Sequence, residues 1–133
     1  MQKEVTIPIY DALVILAVDK DVKLFLKSLK DNYGIEEKEI NCKGMVGATY
    51  SPILQTKIFY IYISADTDKK DYLNTIGHEL VHITQDVLEA RQVYFKRRDA
   101  NEAYAYLQGY LFAENIEFWE KAYKKYNPIR KIK

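Results

Sequence analysis

Just after Ser64 the hydrophobic period of the chain changes, and that change constrains the fold more than any other feature of the sequence. Lys57 to Ser64 reads KIFYIYIS, almost wholly β-branched and aromatic, the composition of a strand. From about Asp71 to about Ala90, Leu73, Ile76, Leu80, Ile83 and Val87 instead mark one face of a long helix. Asp66, Thr67, Asp68 and Asp71 put cap candidates and negative charge at its start, where the helix dipole favours them. A strand followed so closely by an amphipathic helix calls for a sheet that the helix covers. With 133 residues, 48% of them hydrophobic and 29% charged, the chain has the profile of one globular domain with one core.

The other segments fill in that plan. Glu4 to Ile9 alternates like a strand, and Pro8 confines it to an edge or an end. Ala12 to Val18 is apolar but far too short to cross a bilayer, and it is read as core structure. Asp19 to Lys30 has Val22, Phe25, Leu26 and Leu29 at helical spacing, and Asn32-Tyr33-Gly34 supplies a stop. Gly44 to Tyr50 is a short strand whose Gly44 and Gly47 suggest a bulge or a close backbone approach. Ser51-Pro52 begins its connection to the Lys57–Ser64 strand, which predicts an antiparallel pair. A basic connector, Lys96-Arg97-Arg98, precedes a second long helix from near Asp99 to about Tyr126, with Pro128 beyond its end. The expected architecture is α+β: one domain over 1–133, with a small antiparallel or mixed sheet packed on the first long helix and on a second.

Charge and cysteine content narrow the setting. Twenty Lys and Arg against 19 Asp and Glu leave a net charge of +1, which predicts neither a nucleic-acid nor a membrane partner. The tail from Lys121 to Lys133 is basic and reads as a solvated terminus. The single cysteine, Cys42, has no partner for an internal disulfide and reads as a small hydrophobe. No targeting segment stands out, so a cytoplasmic location is expected.

Both histidines of the chain fall within His78-Glu79-Leu80-Val81-His82. Helix positions four apart lie about 40° apart around the axis, so the two imidazoles project side by side. Two neutral imidazoles so placed can hold one Zn²⁺. Glu79 lies about 100° round from His78, poorly placed as a ligand but well placed to face a metal-bound water. A catalytic zinc usually takes a third protein ligand, and with no histidine left that ligand has to be a carboxylate. Glu102, in Asn101-Glu102-Ala103-Tyr104-Ala105-Tyr106, opens the second long helix after a stretch long enough for the chain to reverse. Tyr106, Gly109 and Ala113 share its side of the helical wheel and leave room for a close helix–helix approach.

HELVH followed by NEAYAY resembles the glutamate-type zinc metallopeptidases, the gluzincins, whose thermolysin-like members share an HExxH helix and a downstream Asn-Glu-Ala segment. It is also similar to small phage- and mobile-element-encoded minimal zincins. The resemblance covers roughly Asp71 to Ala113. It implies a minimal zincin-like domain binding one Zn²⁺ per chain, with His78, His82 and Glu102 as ligands and Glu79 as catalytic base. Thermolysin-like enzymes carry an Asp four residues after the ligand Glu, where this chain has Tyr106. The outer-sphere partners of the histidines must therefore differ, and the Tyr106 hydroxyl, Asp86 and a backbone carbonyl are the candidates.

The expected activity is zinc-dependent hydrolysis of a peptide or protein substrate. Tyr94 and Tyr106 are candidate donors to the oxyanion. In zincins the strand before the helix lines the cleft, a part open to Gly44–Tyr50 or Lys57–Ser64. A chain this short leaves a shallow cleft, so a dedicated substrate or a partner protein that completes the cleft is expected. The alternative is a non-enzymatic, metal-stabilised interaction module, which needs the ligands but not Glu79.

Overall fold

The computed structural model describes residues 1–38, 44–92 and 98–126. The protein is an α+β domain: a four-stranded mixed sheet with one helix on one face and two on the other. Strands β1 (Gln2–Ile7), β2 (Ala12–Asp19), β3 (Gly44–Ser51) and β4 (Thr56–Ser64) lie in the order β1-β2-β4-β3. Helix α1 (Val22–Tyr33) follows β2, and α2 (Lys69–Ala90) and α3 (Arg98–Tyr126) complete the chain. β1 pairs antiparallel with β2, β2 parallel with β4, and β3 antiparallel with β4. Pro8 does end the first strand, and it opens a single 3-10 turn, Pro8–Tyr10, before β2.

The apolar run read only as core structure is the central strand β2, and α1 starts at Val22 rather than Asp19. Its alternate residues serve two cores. Val14, Leu16 and Val18 face α2 and α3 together with Phe59, Ile61 and Ile63 of β4. Ile15 and Ala17 face α1 with Ile58, Tyr60 and Tyr62. A strand buried on both faces shows no alternation between apolar and polar residues.

Local signals set the boundaries as expected. Asp68 caps α2, accepting a hydrogen bond from the Asp71 N–H at 2.8 Å. Gly34 ends α1 in the left-handed region at φ 69°, where its N–H reaches the Leu29 and Lys30 carbonyls. Both glycines of β3 mark close approaches. A Cβ on Gly44 would lie 2.8 Å from the Thr75 methyl of α2. A Cβ on Gly47 would overlap the Tyr60 ring, which crosses Gly47 from the paired position on β4 and hydrogen-bonds Glu37. Gly47→Ala must displace that ring, so it should lower stability by about 1–3 kcal/mol. A chemical-denaturation midpoint checks this, and an unchanged midpoint would mean that the ring does not depend on the gap.

Helices α2 and α3 run antiparallel. Near the start of α2 the Tyr72 ring stacks on Trp119 at 4.0 Å, and its hydroxyl donates to the Asn115 carbonyl at 3.0 Å. Burial, and secondarily Glu120, push the Tyr72 hydroxyl up, so it stays protonated as a donor. At the other end of α2, Arg91 donates to the Tyr10 and Asp11 carbonyls, tying the helix to the β1–β2 turn. Among the described residues, no helix is long and apolar enough to cross a membrane.

Candidate metal centre on helix α2

The faces of α2 decide where its histidines stand. Tyr72, Ile76, Leu80, Ile83 and Val87 are buried against the sheet and α3. Leu73, expected on that face, is instead 43% exposed at its margin. Thr75, by its approach to Gly44, identifies the flank turned towards β3. Glu79 continues that flank one turn further along the helix, with His78 and His82 beside it on the solvent side. Both imidazoles are exposed and Glu79 is half-buried.

The three side chains converge. Their ligating atoms lie within 4.8 Å of one another, and the two histidine Nε2 atoms are 3.3 Å apart. The rings meet edge to face, with centroids 4.9 Å apart. Two imidazole nitrogens are donors that Zn²⁺ favours, with the Glu79 carboxylate beside them, and side-chain rotation within the rotamer wells can set the nitrogens around an ion. Among the described residues, neither ring has a hydrogen-bond partner other than its neighbour. Asp86, half-buried one turn beyond His82, does not reach them.

The strand that Thr75 approaches, β3, lies at an edge of the sheet. Of the two strands that could line a cleft, β4 is interior, between β2 and β3. β3 is the edge strand, and among the described residues no strand pairs with its outer side.

Glu102 stands apart from this group. The face of α3 that it shares with Tyr106, Gly109 and Ala113 was expected to meet α2, but all four residues are exposed. α3 buries Tyr104, Leu107, Leu111, Phe118 and Ala122 instead, on the opposite side of the helix. Burial, and secondarily the charge of Glu89 in the last turn of α2, push the Tyr104 hydroxyl up. Tyr106 stands apart from the group as well. It is 77% exposed and lines an apolar groove of about 360 Å³ with Ile7, Ile9 and Tyr110, over β1 at the far edge of the sheet. Tyr94, Cys42, Lys96 and Arg97 lie outside the described residues, as does the tail beyond Tyr126.

Comparison of the chain with protein-family models, with curated proteins and with solved structures finds no match in any of the three.

Proposed function

We propose that this chain is a zinc-dependent metallopeptidase whose metal is held by His78 and His82 and whose general base is Glu79. The observation that carries this reading is the convergence of the two imidazoles and the Glu79 carboxylate within 4.8 Å. A bound zinc ion would lower the pKa of its water towards ~7 and polarise a substrate carbonyl. Glu79 then takes the proton of the attacking water and returns it to the leaving amine. The outer edge of β3 offers backbone N–H and C=O groups to an extended substrate, holding it along the flank that carries Glu79. With both histidines exposed, the cleft is open, so binding energy has to come from a dedicated protein substrate or a partner. The single cysteine fits a cytoplasmic setting.

A peptide-library digest with and without chelator tests the activity. Zinc-dependent cleavage that is slow on generic peptides and faster on a cognate protein is expected. Absence of cleavage in any library or lysate would leave the metal-stabilised interaction module. That second reading draws on one observation, the exposure of both histidines on a helix crest rather than in an enclosed pocket.

The ligand set is tested separately. His78→Ala or His82→Ala should weaken zinc binding by roughly 100-fold or more, since each removes one of two neutral nitrogen donors. Glu102→Ala should leave affinity within about twofold, because the carboxylate stands outside the group. Competition titration with a chromogenic chelator measures both. A loss at Glu102 equal to that at His78 would mean that α3 turns to bring its solvent face to the metal.

A further inference from the structure

Over its middle turns the outward ridge of α2 carries no charge. Asn74, Gly77, His78, Val81, His82 and Gln85 are all exposed there, in a chain that is 29% charged. The only ionisable acid in that stretch is Glu79, half-buried within the donor group. Residues 103–113 of the antiparallel α3 are likewise free of Lys, Arg, Asp and Glu. Charge depletion of this kind marks the cores of protein interfaces. A neutral ridge is also one that can face its own copy with no like-charge cost, as a two-fold interface requires.

Two further observations say what belongs against it. Among the described residues a Cβ on Gly77 would meet nothing within 4 Å, so no contact there explains this glycine. In a helix interior glycine is less favourable than Ala, and here it leaves space for a second backbone beside His78. Among the described residues the metal centre is also incomplete. Its two imidazoles are exposed, Glu102 stands apart, and a closed zinc site takes four ligands.

We propose that two copies of this chain share one zinc ion across their α2 ridges, each contributing His78 and His82. A two-fold axis through the ion brings four imidazoles together and sets Gly77 and Val81 at the helix crossing. The inference rests on zinc binding at His78 and His82, the premise of the peptidase reading, and adds regulation to it. In the shared state the position needed for water is filled by the second copy, so hydrolysis belongs to the separated chain.

Sedimentation velocity of the full chain in zinc chloride and in chelator, combined with metal analysis, tests this. The expected result is a monomer in chelator and a dimer holding one zinc per two chains. The His78→Ala/His82→Ala double variant should stay monomeric in zinc. Val81→Lys, which keeps every donor but charges the ridge, should still bind zinc while its dimer dissociation constant rises at least tenfold. Circular dichroism melting of each variant separates loss of dimer from loss of fold. A monomer with one zinc per chain would overturn the shared site and leave the peptidase reading standing. No zinc binding at all would overturn both. A dimer that persists in chelator or in the double-histidine variant would overturn the metal bridge.

Discussion

Replacing Glu79 with Gln should lower peptide hydrolysis by about 10²–10⁴-fold while zinc affinity stays close to wild type. The carboxylate is within 4.8 Å of both histidine nitrogens, near enough to reach a water bound between them. Gln keeps the size and polarity of Glu but cannot accept the water's proton at neutral pH. The fall should therefore be in kcat, with little change in KM, because the proton transfer occurs only on the way to the transition state. Steady-state kinetics on a cleavable substrate at saturating zinc, with metal content measured alongside, gives the result. Equal rates in the two proteins would remove Glu79 from the chemistry.

The second large effect concerns stability. Leu80 follows Glu79 directly and is fully buried in the core that joins α2, α3 and the sheet. Leu80→Ala should cost about 2–5 kcal/mol, from the lost transfer energy and the cavity left behind. The denaturation midpoint should fall with the slope unchanged, since the change is in the folded state. Zinc at 100 times its dissociation constant should restore about 2.7 kcal/mol, since the donors lie on the same helix turns. A variant whose stability falls by less than about 1 kcal/mol would place the core of α2 elsewhere.

The contrast between Leu80 and Glu102 shows how far the sequence could be read. The buried stripe of α2 was legible because its core side is apolar and its outer side is not: Ile76, Leu80, Ile83 and Val87 recur against Asn74, His78 and Gln85. Gly34, Pro8 and Asp68 were legible because each acts through its own backbone conformation or its nearest neighbours. Strand β2 was not, because Ala12 to Val18 feeds two cores and so lacks the alternation that identifies a strand. The orientation of α3 was harder still. Tyr, Ala and Leu occupy both of its sides, so the stripe Glu102, Tyr106, Gly109 and Ala113 looks as suitable for packing as Tyr104, Leu107 and Leu111. Only the sheet and α2 decide between them. His78, Glu79 and His82 were readable because one helix turn brings them together, whereas a third donor depends on how two helices face each other. The neutral ridge around them became visible only once exposure was known.

The central claim is that His78 and His82 hold a metal ion. Calorimetric titration of zinc into chelator-stripped protein, beside the His78→Ala/His82→Ala variant, tests it most directly. Saturable binding by the wild type, lost in the variant with its melting curve otherwise intact, is the expected result. Equal zinc uptake by both proteins, or none by either, would contradict it.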